Sequence, residues 1–137
     1  MKAKAMSGWD KALLLTRAAL DKKASDLVVL DVHAHTSIAE YFIVCSGRSD
    51  RQVQSIAQGL QDEASRAGVR PFAVEGTQRG HWVLMDFSDV IVHIFYEPLR
   101  QFYDLEGLWS HAPQAKLPAS YTRMIAQLHS SDAQLSN

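Results

Sequence analysis

Residues 26–32, "DLVVLDV", restrict what this chain can fold into more than any other stretch. The run is β-branched and nearly all apolar, which suits a strand covered on both faces rather than one with a wet side. Such a strand needs other elements packed above and below it, so the run points to a layered α/β domain.

The rest of the sequence supplies those layers. Ser7 followed by Asp10 resembles a capping box, and Trp9, Ala12, Leu13, Thr16, Ala19 and Leu20 then recur at helical spacing. A polar "HAHTS" turn leads to a second strand, "EYFIVCS", over 40–46. "GRSD" is a break in which Ser49 or Asp50 can cap the next helix. That helix carries Val53, Ile56, Ala57, Leu60, Ala64 and Ala67 on one face and has Gly68 at its C′ position. "RPFAVEG" is predicted as a short strand near an edge because of Pro71. "HWVLMD" and "VIVHIFY", joined by "FSD", form a predicted hairpin. Pro98 opens a single amphipathic helix through "LRQFYDLEGLW", and "YTRMIAQLH" is predicted as one more short helix before eight disordered residues. The expectation is a single α/β domain over residues 1–112, with a mixed sheet of about five strands flanked by helices. Residues 113–137 then form a partly disordered C-terminal extension.

Composition excludes several classes. A chain of 137 residues, 47% apolar, is sized for one core and too apolar to be mostly disordered. With 14 basic and 15 acidic residues it lacks the basic excess of a protein that binds by neutralising phosphates. Direct binding of free nucleic acid is therefore not expected, whereas a protein partner inside a ribonucleoprotein is compatible. The single cysteine, Cys45, allows no intrachain disulfide and reads as a small buried hydrophobe. No run approaches the roughly 20 apolar residues of a membrane helix, and "MKAKAMSGWDKALLL" lacks a signal-peptide apolar core. These features describe a cytoplasmic protein with no membrane partner.

Catalytic readings fare poorly. Asp86, Asp89 and His93 invite an acid–acid–histidine interpretation, but both aspartates flank the hairpin turn, where their carboxylates cap backbone N–H groups. Strand alternation puts His93 beside Ile91 and Phe95, on the face opposite Val90, Val92, Ile94 and Tyr96. His33 and His35, with Asp31 and Cys45, match no zinc-ligand spacing. There is no G-x-S-x-G, GxGxxG or Walker loop. The strand–"SGRSD"–helix arrangement superficially resembles how nucleotidyl-transfer enzymes hold a phosphate, but the chain shortly after the helix offers only Glu75 where paired carboxylates must hold magnesium. We expect no enzyme, no cofactor and no metal.

Over residues 82–109 the pattern "WVLMDFSDVIVHIF…R.FYDLEGLW" resembles the signature of the Iojap, or ribosomal silencing factor, family. The matching positions are Trp82, Asp86, Asp89, Val90, Val92, His93, Phe95, Arg100, Tyr103, Leu105, Glu106, Leu108 and Trp109. Upstream, "KKASDLVVLDV", "YFIVCSG.S", "RQV..IA" and "VEG" agree in order and spacing, so the resemblance covers roughly residues 9–113. Ser88 departs from it, standing where glycine is common, and the tail beyond Pro113 lies outside it. The resemblance implies a fold like that of nucleotidyltransferases without their active site. It also implies binding to the large ribosomal subunit through its fourteenth protein, which blocks small-subunit joining and represses translation when nutrients are scarce. Some members act in large-subunit assembly and some form homodimers, so both roles carry over as expectations.

On that reading the hairpin and final helix form the partner-binding patch, with Trp82, Asp86, Asp89, His93, Arg100, Tyr103 and Glu106 as its residues. Plainer roles stand beside these. Phe102, Leu105 and Trp109 read as core contacts, and Arg100 with Glu106 as an ion pair. The competing function classes are an enzyme of nucleotide or phosphate chemistry and a general RNA-binding module. The first would show magnesium-dependent nucleotide binding, the second a steep salt dependence on naked RNA.

Overall fold

A computed structural model describes residues 6–135. Helix α1 (Gly8–Asp21) starts at Ser7, whose hydroxyl accepts from the Asp10 backbone N–H at 3.1 Å. Strands β1 (Ser25–Asp31) and β2 (Tyr41–Gly47) follow. Helix α2 (Asp50–Arg66) is capped by Ser49 rather than Asp50, through a 3.0 Å bond from Gln52 N–H, and ends in a left-handed Gly68. Strands β3 (Ala73–Glu75), β4 (Trp82–Asp86) and β5 (Val90–Tyr96) precede two short helices, α3 (Glu97–Tyr103) and α4 (Leu105–Leu108), and the terminal α5 (Ala119–Leu135).

The five strands form one mixed sheet in the order β1-β2-β5-β4-β3. Only the β2–β5 pair is parallel; β1–β2, β5–β4 and β4–β3 are antiparallel. The connection from β2 to its parallel neighbour therefore has to cross over, and α2 makes that crossing. Central β5 is buried at six of its seven positions. Its Val90, Val92 and Ile94 join Val83 and Met85 of β4, Ile43 and Cys45 of β2, and Val53, Ile56 and Leu60 of α2 in the main core. Burying each such side chain stabilises the fold by about 1.5–3 kcal/mol. A smaller cluster occupies the other face: Leu30, Phe42 and Ile91, with Ala112 and Trp109 against them. Strand β1 is thus covered on both faces, as its composition requires, although it lies at an edge.

That edge is not left open. Asp31 N–H donates to Pro113 O and Ala115 N–H to Val29 O, both at 2.8 Å. Residues 113–115 thereby occupy the hydrogen-bonding groups that a bare edge would offer to another chain. Behind them α5 lays Met124, Ile125 and Leu128 against the main core. The sequence pattern predicts a helix ending at residue 129 with disorder beyond it, whereas α5 runs to Leu135. Residues 1–5 and 136–137, the ends of the two expected segments, lie outside the described range.

A second departure matters more for the site. The sequence pattern reads as one helix through residue 109, but the chain breaks at Asp104, which is left-handed (φ 47°, ψ 50°). The Asp104 carboxylate then caps the new helix by accepting from Gly107 N–H at 3.2 Å. A Cβ on residue 107 would lie 2.2 Å from that carboxylate, so glycine leaves the Asp104 side chain free to take up this cap without shifting. "DLEGL" is therefore a stop-and-restart signal rather than helix interior.

At the β4–β5 turn Ser88 has φ 72°, a conformation that favours glycine. The departure from the family pattern thus carries backbone strain. Ser88→Gly is expected to raise unfolding free energy by about 0.5 kcal/mol, read as a higher urea midpoint with an unchanged slope. A lower midpoint would contradict the assigned strain.

Candidate functional site

The two faces of the sheet are unequally covered. Helices α1 and α2 lie against the first face. On the second, α3, α4 and the segment around Ala112 reach over β2 and β5, while β4 and β3 are left largely open. Val83 and Met85 point into the main core, so alternation turns Trp82, Leu84 and Asp86 onto the open side, where each is only partly buried. Leu84 pairs with Glu75 and Asp86 with Ala73 across the β4–β3 ladder, which extends the strip to the sheet edge.

An aromatic cluster anchors this strip. The Trp82 ring centroid lies 4.9 Å from those of both Phe95 and Tyr103. Trp82 Nε1–H donates to His93 Nδ1 at 3.1 Å. An indole nitrogen can only donate, so His93 carries its own proton on Nε2. His93 is 5% exposed, and burial pushes its pKa down from the ordinary 6.5 to about 4. It is neutral at physiological pH and lies beneath the surface, with Phe42 edge-on at 5.4 Å. On the other side of Phe42 stands Trp109, at 4.8 Å in the same edge-to-face manner. Gly76 (φ 87°) presses on the Trp82 carbonyl: a Cβ there would lie 2.0 Å from that oxygen, so "VEG" must end in glycine.

Arg100 is the clamp that holds α3 and α4 in place. Its Nη1 donates to Ser46 Oγ on β2 at 2.9 Å and its Nε to Glu106 Oε1 on α4 at 2.8 Å, with only 11% of its side chain exposed. The break at Asp104 is what lets Arg100 and Glu106 meet; on a continuous helix positions six apart do not converge. These two residues therefore fit the ion-pair reading.

The expected patch is thus partly assembled. Trp82, Asp86 and Tyr103 (46% exposed) reach the surface of the open face. Asp86 Oδ1 also accepts from Ser88 N–H at 2.8 Å, the turn-capping role read from sequence. Asp89 lies at the far end of the hairpin and pairs with Lys11 Nζ at 3.3 Å, which also donates to Phe87 O. His93 is buried and Arg100 is mostly covered. Three surface residues were missed. Phe102 is 79% and Leu108 76% exposed, and Leu84 lies between Trp82 and Asp86. Phe102, expected as a core contact, is instead exposed on α3. Strict alternation along "WVLMD" already placed Leu84 beside Trp82.

Cys45 is fully buried, and burial, partly offset by nearby Arg100, pushes its thiol up to about 12. His33 is engaged by the Asp31 carboxylate through Nδ1. No group of three or more His, Cys, Asp or Glu side chains is placed to hold a metal ion. No helix among these residues is long and apolar enough to cross a membrane.

The family model described as "Ribosomal silencing factor during starvation" matches residues 6–136. The chain belongs to the ribosomal silencing factor family. The Bacillus subtilis ribosomal silencing factor is 42% identical over 109 residues, covering 78% of this chain and 92% of that one. The chloroplastic Iojap protein of Arabidopsis thaliana is 34% identical over 78% of this chain and 46% of its own length. A crystal structure of a Chromobacterium violaceum protein superposes with a TM-score of 0.75 at 35% identity, covering 83% of this chain and 92% of that one. Membership of the silencing-factor family implies regulation of translation through the ribosome.

The histidine at the centre of the aromatic cluster makes stability pH-dependent in a defined window. Between its unfolded pKa near 6.5 and its folded value near 4, only the unfolded chain binds the proton, so stability falls as pH is lowered through that range. The loss is on the order of 3 kcal/mol by pH 4, and the contribution is level above about pH 7. Urea unfolding at pH 7 and pH 4.5 is expected to show a smaller drop for His93→Leu than for the parent. Equal drops would show that the ring titrates normally.

Proposed function

We propose that this protein binds the large ribosomal subunit at its fourteenth protein and sterically prevents the small subunit from joining, lowering translation under nutrient limitation. The observation that supports this reading is the half-covered second face of the sheet: Trp82, Leu84 and Tyr103, with exposed Phe102 edge-on against Tyr103 at 5.3 Å. A monomer gains nothing by presenting such apolar side chains together, and contiguous apolar patches mark interaction sites. Aromatic anchors supply affinity, and the Glu75 and Asp86 carboxylates alongside them complement a basic protein surface.

The mechanism needs no turnover, cofactor or metal. A compact domain of this length is about 30 Å across, enough to occupy the space of an intersubunit contact. Residence on the subunit then sets the extent of repression, and the protein acts in the cytoplasm, where subunits join. The same face pairs two free copies as a homodimer that must open before docking, and docking on an immature subunit extends the role to large-subunit assembly.

Sedimentation through sucrose gradients with separated subunits tests this. The protein is expected to co-migrate with large subunits only and to reduce joined ribosomes when small subunits are added. A Trp82→Ala, Asp86→Lys double variant, both at least partly exposed positions, is expected to lose at least tenfold in affinity while keeping its unfolding free energy within about 2 kcal/mol of the parent. Unchanged co-migration of that folded variant would contradict the assigned face.

A further inference from the structure

We propose that His93 is a positioning residue: it accepts the indole N–H of Trp82 and so fixes that ring as a preformed, purely apolar docking surface. The proposal rests on the reading of the open face as the ribosome-facing one and says how its principal anchor is set.

Trp82 is at the start of β4, half-buried, at the margin of the covered part of the sheet. A tryptophan in such a place has room for more than one rotamer, and choosing among them on binding costs affinity. Three contacts restrict it here. Phe95, its direct cross-strand partner on β5, and Tyr103, from α3, both lie 4.9 Å away by ring centroid. These are tilted ring contacts, with interplanar angles of 30° and 44°, which hold no single direction. The bond to His93 Nδ1 at 3.1 Å is the directional one.

The histidine is well suited to the task. It pairs with Leu84 in the β4–β5 register, one position along the same face, so its ring reaches the indole diagonally. Phe42 and Phe95 flank it, at 5.4 Å and 6.4 Å, and hold it in an apolar setting where a neutral acceptor is favoured. Phenylalanine or leucine at this position would pack as well but would offer the indole no acceptor.

One consequence concerns the partner. Because the indole N–H, the ring's sole polar group, is spent inside the protein, Trp82 presents ring carbons and π-surface to whatever docks. The group that meets it is an aliphatic stem or a flat cationic or peptide surface rather than a hydrogen-bond acceptor.

The test combines a measurement on the free protein with one on its complex with purified large ribosomal subunits. In the free protein the Trp82 indole N–H, assigned by its loss in Trp82→Phe, is expected to exchange slowly with solvent. His93→Leu is expected to make that proton exchange at least tenfold faster and to weaken subunit binding roughly threefold to tenfold. His93→Asn, which keeps an acceptor oxygen near the position of Nδ1, is expected to restore most of both. In a Trp82→Phe background, His93→Leu is expected to change binding no further. Slow indole exchange in a folded His93→Leu protein, or additive losses in the double variant, would overturn the positioning role. Failure of the parent protein to bind large subunits would overturn the docking reading, while indole exchange would still report whether the hydrogen bond exists.

Discussion

The structure depends on one central strand whose two faces both need cover. Strand β5 is buried at six of seven positions and lies between β2 and β4. The first face receives α1 and the 17-residue α2, a generous layer. The second receives two helices of seven and four residues and a loop segment. That second layer is wide enough for β2 and β5 but not for β4. The open strip with Trp82 and Leu84 is therefore a direct result of how little material covers this side of the sheet.

How far the cover extends is set by a few polar contacts. Asp104 ends α3 and restarts α4, and Arg100 ties both to Ser46 on the sheet. Together they seat Tyr103 over Trp82 and Phe95, and the chain beyond them brings Trp109 over Phe42. A continuous helix would have carried its apolar side chains on one face and left Arg100 and Glu106 apart. The break spends regular hydrogen bonding to gain a precise edge between covered and open sheet. Family membership and this geometry meet there: a regulator acting through the ribosome needs a preformed contact face more than it needs a cleft.

Much of this was legible in the residues. Ser7, Ser49 and Gly68 mark helix ends because their side chains, or the lack of one, satisfy specific backbone requirements. The β4–β5 hairpin and its alternation are read directly from "HWVLMDFSDVIVHIFY", and the same alternation places His93 with Ile91 and Phe95. What escaped was non-local or conformational. The break at Asp104 rests on a left-handed residue whose own carboxylate caps the next turn, a signal that helical spacing obscures. Arg100 reaches Ser46, far away in sequence, and no pattern in either segment announces the pair. Phe102 looks like core in a long helix and becomes surface in a short one. The parallel β2–β5 pairing and the covering of the β1 edge by residues 113–115 are likewise products of the assembled sheet.

The most direct test of the open face is hydroxyl-radical footprinting of the protein alone and bound to large ribosomal subunits. Docking through the second face requires protection of Trp82, Leu84, Phe102 and Tyr103, with side chains on the outer side of α2, such as Arg51 and Gln58, as reactive as before. Protection centred on α2 with Trp82 unchanged would contradict the account, whatever the affinity.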